Sequence, residues 1–197
     1  MAQRKTAARR KSPSIRHADN RRDRLLRVAA RLFARHGYEA TSMRDIAGAA
    51  GMLAGSMYYH FRSKEELVAA THGLGVRQVI AAVTAAIEGV EDPWQRLEAA
   101  CAAQLECLLG ADDFAAVVRQ EFSRVSPSLR RRLVAQRDEY ETLFGGLVTA
   151  LPLKPRTDGR LLRLLLLGAL NATPVWYRPG GDSPAKIARA FVAALRC

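Results

Sequence analysis

A chain of 197 residues with 31 Lys and Arg against 19 Asp and Glu carries a formal charge of +12. That length permits a sizeable core, and 49% hydrophobic with 25% charged residues excludes wholesale disorder. Leu164 to Leu170, a nearly uncharged apolar stretch, falls far short of the ~18 residues that cross a bilayer. No apolar segment follows the basic N-terminus, so neither a membrane protein nor a secretory signal is expected. Cys101, Cys107 and Cys197 are odd in number and lack metal-site spacing, which argues against a disulfide scaffold or a zinc ribbon. The expectation is a soluble, cytoplasmic protein with no metal and no cofactor.

The charge is unevenly placed. Residues 1–64 hold 15 Lys and Arg against 4 Asp and Glu, and residues 65–197 hold 16 against 15. One third of the chain therefore carries nearly all the excess, as when one module meets a polyanion and another does not. A solvated basic tail would give the same count.

Residues 1–18 are basic and poor in apolar side chains, which predicts a disordered arm. From Asp19, Leu25, Val28, Ala29, Leu32 and Phe33 follow helical spacing, and His36-Gly37 closes the helix. Ser42 with Asp45 resembles a capping box opening a second helix, which Gly51 interrupts. A third short helix runs through Ser56 to His60. Ser63-Lys64-Glu65-Glu66 opens a long helix towards Ile87, with Gly73 and Gly75 inside it. Those glycines cost about 1 kcal/mol each against Ala; they suit either a bend or close packing. Asp92-Pro93, Ser126-Pro127 and Ser183-Pro184 each place a cap before Pro at the first helical position. A shorter helix is predicted around Phe114 to Phe122. Residues 158–177 are apolar nearly all round, so that helix must be buried on more than one side, by its own core and by a second subunit. No strand or internal repeat is evident; the fold class is all-α.

Thr41 to Lys64, TSMRDIAGAAGMLAGSMYYHFRSK, holds the chemistry. Two short helices around a glycine turn form a helix-turn-helix, with small Ala47 at the crossing and Ile46, Ala50, Met52 and Met57 as the buried seam. In such a unit the second of the two helices enters the major groove of duplex DNA. An ordinary helical hairpin shares the pattern.

Residues 25–67 resemble the N-terminal domain of the TetR family of transcriptional regulators. The shared features are Gly37-Tyr38-x-x-Thr41, Asp45-Ile46-Ala47, Ala50-Gly51, and Gly55-Ser56-Met57-Tyr58-Tyr59-His60-Phe61 leading to Ser63-Lys64-Glu65. The resemblance implies a DNA-binding head over residues 19–64 and a ligand-binding, dimerising domain over 65–197. The protein would be a homodimer, most simply a repressor, released from a palindromic operator by a small-molecule effector. It implies phosphate contacts for Tyr58 and Lys64, and for Thr41 and Ser42 at a helix N-terminus. Ser56, Tyr59 and His60 would reach base edges, although packing at the helix end suits Tyr59 and His60 equally. Arg44 would meet phosphate or a base, and Arg4, Lys5, Arg9, Arg10 and Lys11 would follow phosphates or the minor groove. Ala54-Gly55 stands where some members carry Gln-Pro, so base readout there is not expected.

For the effector, Phe114, Phe122, Tyr140, Trp176 and Tyr177 are candidate pocket aromatics, with plain core the competing role. Arg119 and Arg124 could face an acidic ligand or solvent. GMLAGSMYYHF and WYRPGG (176–181) resemble regulators of lipid, steroid or aromatic catabolism, several of which answer to acyl-CoA thioesters. An enzyme is disfavoured: Gly73-x-Gly75 fails the dinucleotide fingerprint, and there is no P-loop, G-x-S-x-G or H-E-x-x-H. Asn171-Ala-Thr173 is a glycosylation sequon by pattern only. A non-specific architectural DNA binder would suit the basic arm but leaves the near-neutral remainder unexplained.

Overall fold

The computed structural model describes residues 13–120, 122 and 125–196, with side chains from residue 21 onward. The arm residues Arg4, Lys5, Arg9, Arg10 and Lys11, together with Arg124 and Cys197, lie outside the described residues. Nine helices and no strand are found among the described residues. They are α1 (Pro13–Ala40), α2 (Met43–Ala49), α3 (Ala54–His60), α4 (Lys64–Ile87), α5 (Pro93–Leu109), α6 (Asp113–Val118), α7 (Pro127–Thr149), α8 (Gly159–Trp176) and α9 (Pro184–Leu195).

Most boundaries follow their caps. Ser42 Oγ accepts from Asp45 N at 3.2 Å while the Asp45 carboxylate accepts from Ser42 N at 2.9 Å, the reciprocal box that opens α2. Asp92, Ser126 and Ser183 cap α5, α7 and α9, each with Pro next in line. The opening of α4 differs in one bond. Ser63 Oγ accepts from Glu66 N, but the Glu66 carboxylate accepts from Arg62 N, one residue before the cap.

Two boundaries differ from the sequence expectation. Helix α1 begins at Pro13, so residues 13–18, assigned to a disordered arm, are helical; proline suits a first helical position because its missing N–H would have no partner there. Helix α6 stops at Val118, short of Phe122, because Arg119 and Gln120 turn away: Arg119 Nη1 donates to Leu108 O and Gln120 Nε2 to Phe33 O.

Two apolar cores are stacked along α4. The first joins Leu25, Ala29 and Phe33 of α1 to Ile46, Met57, Phe61, Leu67 and Val68, and is closed by Phe114, Val117, Leu129 and Leu133. The second gathers Val79, Val83, Leu97, Cys101, Leu105, Phe144, Leu166, Leu170, Ile187 and Val192. Each such large side chain, fully buried, stabilises by about 1.5–3 kcal/mol. Among the described residues, α4 is the one helix long and apolar enough to cross a membrane; its apolar positions are taken up by these two cores. Gly75 is a point of close approach: a Cβ there would stand 2.7 Å from Val118 Cγ2 and 2.8 Å from the Phe114 carbonyl oxygen. At Gly73 a Cβ would meet the Gln136 amide at 2.6 Å. Of the two roles open to these glycines, the structure displays close packing.

Helix α8 is only partly covered. Leu166, Leu167, Leu170 and Thr173 are buried, whereas Leu161, Leu164, Leu165, Val175 and Trp176 are exposed.

Candidate functional site

The head is built on the α2–α3 turn. Gly51 adopts φ +63°, a conformation that a side chain disfavours, and Met52 N donates to Ala47 O at 2.9 Å to close the turn. Ala47, Ala50 and Met57 are buried between the helices. That packing leaves Ser56 and Tyr59, three residues apart, on the open side of α3. Tyr59 is 86% exposed and Tyr58 50%. His60 is half-buried, its ring edge-on to Tyr59 at 5.5 Å. Arg44 and Ser42 are exposed on and before α2. Ser42, Arg44, Ser56, Tyr58 and Tyr59 are thus open to a partner.

Two candidates face elsewhere. Thr41 is buried, and its hydroxyl donates to Gly37 O at 2.8 Å, so its side chain ties the end of α1 to the start of α2 instead of facing outward. Lys64 bends over α1: Nζ donates to Tyr38 O at 2.9 Å and lies 4.2 Å from the centre of the Tyr38 ring. Leu53, unremarked in the sequence, sits 83% exposed at the N-cap of α3, beside Gly55, around which there is open space. An exposed leucine next to exposed tyrosines suits the apolar edge of a base as well as a phosphate groove.

The second feature is a cleft of about 760 Å³ walled by α4, α5, α7, α8 and the α6–α7 connection. Its size falls within the range of small-molecule sites. Of the pocket candidates, Arg119, Phe122 and Tyr140 line it. Phe114, Trp176 and Tyr177 do not. Phe114 is drawn into the first core, where Gly75 lets its backbone press on α4. Trp176 ends α8 on the outside, edge-on to Phe191 of α9.

The polar groups in the cleft come from α4, α5, α7, α8 and the α6–α7 connection. His72 Nδ1 lies 2.8 Å from Gln136 Oε1, and Gln136 Nε2 donates to Ala69 O, which leaves Nδ1 as the donor. Burial first, and the Arg137 guanidinium second, lower the His72 pKa, against the raising effect of the Gln136 bond. Gln104 Nε2 donates to Asn171 Oδ1 at 3.2 Å. Burial raises the Tyr140 phenol, helped by Cys101 and Glu141, so it stays protonated. Among the described residues of the lining, Arg119, Arg130 and Arg137 are positive and Glu141 is negative, itself held by Arg163 at 3.2 Å. Of these, His72, Gln104, Arg130 and Arg137 went unmarked in the sequence; each lies in a different apolar or basic run, with no short motif joining them. Among the described residues no group of His, Cys, Asp and Glu could hold a metal.

A model of the N-terminal domain of bacterial regulatory proteins of the tetR family matches residues 25–71, and a tetracyclin repressor-like C-terminal domain matches residues 90–196. The chain is 29% identical over 174 residues to the HTH-type transcriptional repressor KstR2 of Mycobacterium tuberculosis, covering 85% of this chain and 86% of that one. It superposes on the structure of that ketosteroid regulator with a TM-score of 0.68 at 26% identity, over 89% and 92% of the two chains. PfmR, a TetR family transcriptional regulator from Thermus thermophilus, gives a TM-score of 0.74 at 31% identity over 88% and 94%. AibR, solved in complex with isovaleryl coenzyme A and operator DNA, shares the fold with a TM-score of 0.76 at 24% identity over 89% and 97%.

Proposed function

Because this chain belongs to the TetR family of bacterial transcriptional regulators, we propose that its cleft takes an acidic small molecule, a coenzyme A thioester first of all. The protein is then a repressor that leaves a palindromic operator when the thioester binds. One observation carries this reading: among the described residues, Arg119, Arg130 and Arg137 line an otherwise largely apolar space, with Glu141 beside Arg163. Phosphates and carboxylates suit guanidinium groups, and the apolar lining suits an acyl chain. The same fold accommodates isovaleryl coenzyme A in AibR, and KstR2 is named as a repressor.

The head, residues 19–64, would contact DNA through Ser42, Arg44, Ser56, Tyr58, Tyr59 and Lys64. The remaining residues would sense the ligand and dimerise through the uncovered face of α8. Two heads reading half-sites about 34 Å apart lose simultaneous docking with a small change in spacing.

Thermal shift and operator release, measured with CoA thioesters, free acids and neutral drugs, test the reading together. Thioesters should raise the melting temperature and release DNA. Stabilisation by neutral compounds alone would overturn it. The architectural alternative predicts uniform protection of DNA in a footprint, whereas a regulator protects a discrete palindrome.

A further inference from the structure

Two buried polar atoms on residues of the cleft wall have no hydrogen-bond partner among the described residues. Gln104 is 2% exposed and its Nε2 is engaged by Asn171, yet its Oε1 has no hydrogen-bond partner among the described residues. The Tyr140 hydroxyl, equally buried, has none either. Both residues line the cleft, Gln104 from α5 and Tyr140 from α7. Buried polar atoms are seldom left unpaired, because each then bears its full desolvation penalty. An orphaned pair on the wall of a ligand-sized space therefore bears on what the space receives.

The two atoms ask for different things. An amide oxygen only accepts, so Gln104 Oε1 needs a donor. A phenol that burial keeps protonated donates, so Tyr140 is suited by an acceptor. A plain hydrocarbon chain in this part of the cleft would seal both away from water with no partner. A ketone would answer Tyr140 and leave Gln104 unpaired. A hydroxyl answers both, donating to Gln104 Oε1 and accepting from the Tyr140 O–H. Leu108, Val79 and Leu167, also in the lining, provide the apolar surroundings for the carbon skeleton that bears it.

Resting on the reading of the cleft as an acyl-thioester site, we propose that the acyl group is hydroxylated and is recognised through that hydroxyl by Gln104 and Tyr140. The cleft then discriminates a hydroxyacyl thioester from its deoxy counterpart, a difference of one oxygen atom.

Calorimetric titration of the full-length protein with matched pairs tests this. Each saturated acyl-CoA, linear or cyclic, is paired with its hydroxylated counterpart of the same skeleton, and the same pairs are offered as free acids. At least one hydroxylated member should bind at least about tenfold more tightly than its partner. Tyr140→Phe and Gln104→Leu should each reduce that preference to below about threefold. Equal affinity within every pair would overturn the inference, as would a preference unchanged in both variants, or no binding by any member. The comparison within wild-type protein stands even if a variant fails to fold. Thioesters bound without preference would sink the hydroxyl inference alone. Acids bound while thioesters are refused would sink the coenzyme reading, and the hydroxyl preference would still be read from the acids.

Discussion

The ring of Phe122 stands edge-on to the ring of Tyr38, 5.9 Å between centroids, and joins the wall of the ligand cleft to the end of α1. The link continues: Tyr38 lies beneath the Lys64 ammonium and its carbonyl accepts the Lys64 hydrogen bond, at the first residue of α4. Gln120, also in the cleft, donates to Phe33 O, and Ser126 Oγ donates to the Glu65 carboxylate at 2.8 Å. The connection between α6 and α7 thus touches the ligand space on one side and the head on the other.

Phe122→Ala removes the aromatic step of this link. The variant should bind operator within about threefold of wild type in the absence of ligand. The ligand-induced drop in operator affinity should shrink by about 3- to 10-fold, the range expected for a residue that carries part of a coupling. Fluorescence anisotropy with and without ligand, at saturation judged by calorimetry, gives the ratio. An unchanged ratio would place the coupling elsewhere.

Lys64→Ala separates two roles of one side chain. Losing the bonds to the Tyr38 and Glu39 carbonyls should lower stability by about 1 kcal/mol. If the ammonium also meets a phosphate, the dependence of log K on log salt should flatten by about one unit. A lower melting temperature with an unchanged salt slope would leave Lys64 as a clasp for the α1 end and nothing more.

Gly75→Ala places a methyl 2.7 Å from Val118 Cγ2 and 2.8 Å from a carbonyl oxygen that cannot retreat without moving α6. Overpacking of this kind costs about 1–3 kcal/mol, which outweighs the roughly 1 kcal/mol that Ala gains over Gly in a helix. Gly55→Ala, with open space around it, should instead be neutral or stabilising. Urea unfolding of the two variants should therefore move in opposite directions. A stabilised Gly75→Ala would contradict the close contact between α4 and α6.

The head was legible because its determinants are local. Ser42 with Asp45, Gly51 in the turn, and Ala47 and Ala50 at the crossing act within a few residues of one another, so spacing alone reveals them. The cap-and-proline pairs at Asp92, Ser126 and Ser183 were readable for the same reason. The cleft was not, since His72, Gln104, Arg137 and Asn171 are brought together from four helices by packing that no short pattern encodes. Phe114 and Phe122 looked alike in sequence. Which one reached the cleft depended on where α6 ended, and that end is set by side-chain bonds to distant carbonyls. The Thr41 hydroxyl bond to Gly37 O, which turns that side chain inward, reaches back to the end of α1 and left no mark in the capping pattern.

His72 should make stability depend on pH in a definite direction. Its native pKa lies below the ordinary 6.5 because burial and Arg137 oppose the charged ring. As pH falls below 6.5, the unfolded chain takes up a proton that the native ring refuses, so stability declines until the native pKa is passed. Above 6.5 both states are neutral and the group contributes no slope. His72→Gln should remove this part of the decline between about pH 7 and 5.5, read from urea midpoints. A wild-type slope retained by the variant would assign the acid sensitivity to other groups.

The uncovered face of α8 sets the last expectation. Leu161, Leu164 and Leu165 share one side of the helix by their spacing, and Leu165 is 65% exposed in a single chain. Apolar side chains grouped in this way are rarely left to water, and a second copy of the chain presents a matching surface by two-fold symmetry. Leu165→Glu places a charge on each side of that contact and should weaken the dimer by at least about tenfold, since an unpaired buried carboxylate costs more than the leucine contributed. Sedimentation equilibrium should then display monomer at concentrations where wild type is dimeric. Operator affinity should fall with it, because two half-sites are held at useful strength only by linked heads. A variant that stays dimeric with full operator affinity would move the dimer contact off α8.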